Sequence, residues 1–238
     1  MIPSRDFSYL DRNLKRVKEE MEKAAKESGR DSLPVLMAAV KSADVEEINY
    51  LHRQLGVRDI GENRVQQLMG RYDQLDKEGL NLHFIGSLQC NKVKYIIDKV
   101  CLIHSLDSLK LAKEIDRQAA RIHKVQDVLV EINCGNEENK GGVLPEEAAA
   151  FCRELSAFPN IRLVGFMTMA PKCEKEEEYH KYFSKTYQLV LDIWQKTLDN
   201  INTPIISMGM SESYRQAVRD GSTMVRIGRT LFEKEAQR

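Results

Sequence analysis

Eight short apolar runs, each followed by a segment with helical periodicity, constrain this chain more than any other feature in it. The runs are PVLMAAV (34–40), VRDI (57–60), LHFI (82–85), CLIH (101–104), VLVEIN (128–133), RLVGFM (162–167), PIISM (204–208) and TMVRI (223–227). Between them lie stretches such as VEEINYLHRQL, SLKLAKEIDRQAARI and SESYRQAVRD, which read as helices. Strands that alternate with helices pair in parallel, because each connection must cross back over the sheet. Eight such units in 238 residues predict an α/β fold of the (β/α)8 TIM-barrel type. The competing arrangement is an open doubly wound sheet. Its dinucleotide-binding version would favour G-x-G-x-x-G after the first strand, and none is present. Ahead of the first strand, Leu10, Leu14, Val17 and Met21 fall on one helix face. No low-complexity linker divides the chain. The expectation is a single domain over 1–238, with an N-terminal helix (1–30) packed on the barrel.

Charge and residue usage remove several function classes. The formal net charge is zero, from 36 basic and 36 acidic residues, so no overall basic field points to nucleic acid. No apolar run approaches the ~18 residues of a membrane span. The charged, helix-patterned N-terminus is unlike a secretory signal. Five scattered cysteines, an odd number without a C-x-x-C pair, suit reduced thiols. The five histidines show no H-x-x-x-H or H-E-x-x-H spacing, so no metal site is expected. A soluble, cytoplasmic, metal-free protein is the expectation.

In such barrels the active site forms where strands end and loops lead into helices. Lys41 follows the first run, Gly61-Glu62-Asn63 the second and Gly86 to Gln89 the third. His104-Ser105 ends the fourth, Asn133 to Gly142 follows the fifth, and Met167 to Met169 closes the sixth. "SMGMS" (Ser207, Met208, Gly209, Met210, Ser211) and "RIGR" (Arg226, Ile227, Gly228, Arg229) complete the ring. These last two carry the clearest chemistry, because barrels frequently bind phosphate on the loops after strands 7 and 8. Backbone N–H groups of both glycine-containing turns, with the Ser211 hydroxyl, would converge on one oxyanion. Singly, each loop is equally explained by turn-forming glycines and a serine N-cap. Two adjacent ones favour a phosphate site.

Lys41 then gains a meaning. A lysine at a strand end is ordinarily a snorkelling surface residue. Here it stands on the site rim, after a run apolar enough to be buried on both faces and just before a helix start. Partial desolvation and the positive helix end would both disfavour its charged form and leave a nucleophilic amine. Beside a phosphate site, that suggests a Schiff base with an aldehyde-bearing phosphate compound: pyridoxal phosphate, a sugar phosphate or a keto-acid phosphate. Lys140, in "ENKGG", is a second lysine at the rim, suited to gating or to attracting phosphate.

The segments AVKSADVEEI, DIGENRVQQL, HFIGSLQCNKVKYI, INCGNEENKGG, GFMTMAP and GMSESYRQAVRDGSTMVRIGRTLF resemble the YggS/PROSC family of pyridoxal phosphate homeostasis proteins. That family is similar in fold to the barrel domain of alanine racemase, fold type III of the pyridoxal-phosphate proteins. The resemblance covers nearly the whole chain and implies pyridoxal 5′-phosphate bound as a Schiff base on Lys41. It further implies phosphate held by Ser211 and the backbone around Gly209 and Gly228, Arg226 against the pyridine nitrogen, and Asn63 near the ring. Ser207, Met208 and Arg229 complete the expected binding set. A guanidinium at the ring nitrogen discourages its protonation and makes the ring a poorer electron sink. Departures from the family pattern are Ser42, Asp44, Ser87, Cys90 and Ser213. Arg229, where a small hydroxyl residue is frequent, would remove one phosphate-binding hydroxyl.

A barrel racemase adds a C-terminal β domain carrying a tyrosine base, whereas this sequence runs ten residues past Gly228. Two-base racemisation needs a proton acceptor on each ring face. Lys41 could serve one face; for the other the candidates are His104, Ser87 and Thr168, while Tyr214 reads as a packing residue. The expectation is a non-catalytic, monomeric carrier that buffers pyridoxal phosphate or supplies it to recipient enzymes. The alternatives are a pyridoxal-phosphate amino-acid racemase, a Schiff-base aldolase on a sugar phosphate, or an interaction module using charged outer helices such as EKEEEYHKYFSK.

Overall fold

The computed structural model describes residues 5–137, 140–197 and 203–234. Eight parallel strands close into one barrel in sequence order, with the last paired to the first. They are β1 (Val35–Ala39), β2 (Asp59–Glu62), β3 (Asn81–Phe84) and β4 (Leu102–Leu106). The second half comprises β5 (Gln126–Ile132), β6 (Ile161–Thr168), β7 (Ile205–Ser207) and β8 (Met224–Ile227). The expected strands are all present, but several are displaced. Gly61 and Glu62, read as loop, lie inside β2, and His104-Ser105 lie inside β4 rather than at its end. Strand ends depend on which neighbour completes the ladder, and hydropathy does not carry that information.

Helices cover the outside: α1 (Ser8–Glu27), α2 (Val45–Arg53), α3 (Val65–Arg71), α4 (Val93–Ile96), α5 (Leu109–Ala120), α6 (Ala148–Glu154), α7 (His180–Asp192), α8 (Tyr214–Arg219) and α9 (Arg229–Phe232). In α2, Asp44 and Glu47 make a reciprocal capping box, which accounts for the abrupt helix start after β1. The stripe Leu10, Leu14, Val17 and Met21 of α1 is buried against α8 and α9. Asn13 donates to the Leu231 carbonyl across that seam (3.0 Å).

The main apolar core lies between strands and helices, and two smaller clusters fill the barrel. Met37, Ile85 and Met224 form one; Leu102, Leu129 and Met167 form the other. Side chains alternate along a strand, so the residues two positions on from these also face inward. That places His104, Glu131 and Arg226 inside the barrel, with His83 two before Ile85. All four are buried. Toward the C-terminal strand ends the interior is polar, and His83 carries polar character down among the apolar clusters. Among the described residues no helix is long and apolar enough to cross a membrane.

Candidate functional site

The turn after β1 is built by α3. Arg71 donates to the carbonyls of Val40 (3.1 Å) and Ala43 (2.9 Å), and Gln67 donates to the carbonyl of Lys41 (2.8 Å). Arg71 is itself held by an ion pair with Glu62, both buried. Lys41 thus sits on a turn whose backbone is tied on three sides. Its side chain is exposed, so the expected partial desolvation is not found. The capping carboxylate of Asp44 also stands at the helix start and offsets its positive end. Position at the barrel mouth, rather than burial, distinguishes this lysine.

Lys41 opens onto a cavity of about 410 Å³ at the C-terminal strand ends, lined also by Asn63, Ser87, Glu131, Asn133 and Lys140. A larger depression, about 600 Å³, lies between the N-terminal segment and Tyr50 of α2, and no strand residue lines it. The barrel mouth is where strand-end chemistry converges. Lys140 reaches the cavity while paired with Glu137 (2.6 Å). Glu131 is buried in the wall. Burial, reinforced by Asp107 and opposed by Arg226, pushes its carboxyl up to about 7.

The loops after β7 and β8 adjoin this cavity without lining it, and they are laced together. The Ser211 hydroxyl accepts from the Thr230 N–H (3.3 Å), and the Thr230 hydroxyl donates to the Ser211 carbonyl (3.5 Å). Ser211 is not an N-cap; Ser213 holds that position in α8, and its hydroxyl accepts from the Met210 N–H (3.2 Å). Gly209 has φ +92, and a Cβ there would lie 2.5 Å from the Ala217 Cβ, so only glycine lets the loop pack this tightly on α8. Gly228 precedes α9, whose first N–H groups have no partner inside the helix. Two expected ligands are corrected. The Met208 N–H is spent on the Met224 carbonyl (3.1 Å) and its side chain lies in the outer core, so Met208 is a packing residue. The Arg229 side chain is exposed and paired with Glu212 (2.5 Å), leaving only its backbone toward the loop site.

Arg226 and Ser207 form the floor. The guanidinium donates to the Ser207 carbonyl (2.7 Å), the Ser207 hydroxyl (2.7 Å) and the Thr168 carbonyl (2.8 Å). Burial lowers its pKa to about 10, with Glu131 opposing, so it remains a cation near neutrality. Of the three candidate second bases, only Ser87 lines the cavity. Thr168 donates to the Ile132 carbonyl (2.8 Å). His104 is buried, with Nδ1 against the Ser207 hydroxyl (3.2 Å) and Nε2 against His83 (3.1 Å). Tyr214 packs on α1, its hydroxyl donating to Glu20 (2.5 Å). Among the described residues no group of three His, Cys, Asp or Glu is placed to hold a metal.

Sequence reasoning missed Arg71, His83 and Glu131. The signal for the last two was present: each is a lone titratable residue inside an apolar run, LHFI and VLVEI. The donor set fits a phosphorylated aldehyde: an amine at the rim, a laced pair of glycine turns, and a buried cation on β8 two residues before the second turn.

The alanine racemase N-terminal domain family model matches residues 6–235. A pyridoxal phosphate homeostasis protein of Aquifex aeolicus is 41% identical over 220 residues, spanning 92% of this chain and 95% of that protein. Its counterpart in Pseudomonas aeruginosa is 32% identical, spanning 95% and 96%. The structure of PipY from Synechococcus elongatus with PLP bound superposes with a TM-score of 0.80 at 25% identity, covering 94% of this chain and all of that one (100%). An alanine racemase of Clostridium difficile shares the fold at a TM-score of 0.74 and 18% identity, with 58% of that chain covered. Over nearly its whole length, therefore, the chain belongs to the alanine racemase N-terminal domain family, in its group of pyridoxal phosphate homeostasis proteins.

Proposed function

We infer that this protein binds pyridoxal 5′-phosphate at the barrel mouth and buffers it or supplies it to recipient enzymes, without turnover of its own. The observation that supports this reading is that the clamped Lys41 turn and the laced β7 and β8 loops follow neighbouring strands, β8 pairing with both β1 and β7. Lys41 would hold the cofactor through its amine, for which pyridoxal phosphate would supply an aldehyde. Ser211 and the backbone from Gly209 and Gly228 onward would hold its phosphate, with the Arg229 N–H contributing and its side chain turned away. Asn63 lines the same cavity, and Arg226, supported by Ser207, would face the pyridine nitrogen. A cation there leaves the nitrogen lone pair unprotonated, which suits storage better than carbanion chemistry.

The carrier reading is supported by the commitments of His104 and Thr168, whose polar atoms already serve the barrel. One observation favours an enzyme instead: Glu131 is a cavity carboxyl that titrates near neutrality, as a general base would. The test is to add pyridoxal phosphate to the purified protein, record its visible absorption, reduce with borohydride and map the adduct. A band with label on Lys41, both lost in Lys41→Ala, is expected. Label spread evenly over Lys140 and surface lysines would sink the reading. Exchange of an amino acid's α-proton by the loaded protein would replace carrier by racemase.

A further inference from the structure

A chain of buried polar side chains runs down the barrel interior from the site to its opposite face. Arg226 donates to the Ser207 hydroxyl (2.7 Å), which lies 3.2 Å from His104 Nδ1. His104 Nε2 is 3.1 Å from His83 Nδ1, and His83 Nε2 is 3.0 Å from Asp59 Oδ1. Asp59 opens β2 at the N-terminal end of the barrel, and its side chain keeps 19% of its surface exposed. Ser207, His104 and His83 are almost wholly buried. Every internal link joins two groups that can each donate or accept.

With Asp59 ionised and His104 neutral, two hydrogen arrangements satisfy all four links. In the first, hydrogen bonds run one way: Arg226 to Ser207, Ser207 to His104 Nδ1, His104 Nε2–H to His83 Nδ1, and His83 Nε2–H to Asp59. In the second, His83 is a cation and donates from both nitrogens, to Asp59 and to His104 Nε2. His104 then donates from Nδ1 to Ser207, whose own hydrogen leaves the chain. The two differ by one proton. A proton received by the Ser207 oxygen sends the serine's hydrogen to His104 Nδ1 and the His104 Nε2 hydrogen to His83 Nδ1. The charge comes to rest beside Asp59.

We propose that Ser207, His104, His83 and Asp59 form a proton relay that stores, at the closed end of the barrel, a proton exchanged at the cofactor's ring end. The proposal rests on the reading that Arg226 faces the cofactor ring. Neighbouring groups assign the resting place. At His83, burial opposes the charge, but the Asp59 carboxylate and the Cys101 thiol outweigh it and raise the pKa to about 9. At His104, burial comes first, and the cations at His83 and Arg226 add to it, so that ring stays neutral. Glu131 acts on the chain only through Arg226. His83 and His104 are thus positioning residues, setting whether the Ser207 hydrogen points down the relay or into the site.

The test is nitrogen-15 NMR of the full chain with labelled imidazoles, read for tautomer between pH 6 and 10 as an order-of-magnitude span around the expected midpoint. His104 should switch from Nδ1–H to Nε2–H as His83 loses its proton, with one shared midpoint. Asp59→Asn should lower that midpoint by about 1–3 pH units. His83→Gln should make the His104 tautomer independent of pH. A His104 tautomer indifferent to the charge of His83 in the wild-type protein overturns the relay, whatever the variants do. In the pyridoxal-phosphate-loaded protein, the same midpoint should appear in the visible absorption and move with Asp59→Asn. An absorption profile unmoved by Asp59→Asn, when the NMR midpoint does move, overturns the link to the cofactor. No absorption band at all refutes the cofactor reading and leaves the NMR result standing.

Discussion

Arg71→Met should be among the most damaging single substitutions in this protein, although Arg71 lies on the outer side of the barrel wall. Its guanidinium holds Glu62 and the carbonyls of Val40 and Ala43, with both charged side chains buried and the second Glu62 oxygen, Oε2, already without a partner. Removing the cation leaves a carboxylate and two carbonyls in an apolar layer. Breaking a buried pair in this way costs about 3–5 kcal/mol. With a urea m-value of about 3 kcal/mol/M, the unfolding midpoint would fall by roughly 1–1.7 M. The loss should depend on pH. Burial already raises the Glu62 pKa against the pull of Arg71, and without Arg71 it is opposed only by the weaker hydrogen bond to the Asn63 backbone. A carboxyl whose folded pKa lies above its unfolded value contributes stability at low pH and loses it as pH rises through the folded pKa. The variant should therefore be closer to wild type in acid than in base. Urea titrations at two pH values measure this, and Glu62→Leu with Arg71→Met should recover much of the loss, because the pair is then replaced rather than broken. A single-variant cost below about 1 kcal/mol, or a double variant no better than the single, would refute the reasoning. The same variant frees the Lys41 turn, so its Schiff base should form more slowly even where the fold survives.

Other substitutions probe the site walls. Glu131→Gln should stabilise the protein in base but not in acid: the wild-type carboxyl, with a pKa near 7, contributes stability that is intact below its unfolded pKa and lost as pH rises through 7. The gain in base should be on the order of 3 kcal/mol, seen by denaturant unfolding, and a gain independent of pH would contradict it. Gly86→Ala would place a Cβ 2.0 Å from the Asn63 carbonyl oxygen, so the β2 loop must shift. A stability loss of about 1–3 kcal/mol should accompany weaker uptake of pyridoxal phosphate, measured by absorbance titration.

Much was legible from sequence because it is written locally. Runs of alternating β and α periodicity gave the barrel, since each unit's apolar pattern is complete within about a dozen residues. The glycines and serines of "SMGMS" and "RIGR" announced tight turns, and a lysine at the end of the first strand announced an amine at the rim. Tertiary structure alone decided the rest. Arg71 clamps a turn 28 and 31 residues away, and His104 meets Ser207 across 103. Such contacts arise when distant strands are brought round one axis, and no local pattern encodes them. Lys41 was expected to be partly desolvated because its strand is apolar, but exposure is set by where the turn leaves the barrel, and it leaves into solvent. Likewise Arg229 looked like a phosphate ligand beside Gly228, yet its side chain pairs with Glu212 on the neighbouring loop. Sequence determines which groups a strand end can offer; closure of the barrel determines which of them meet.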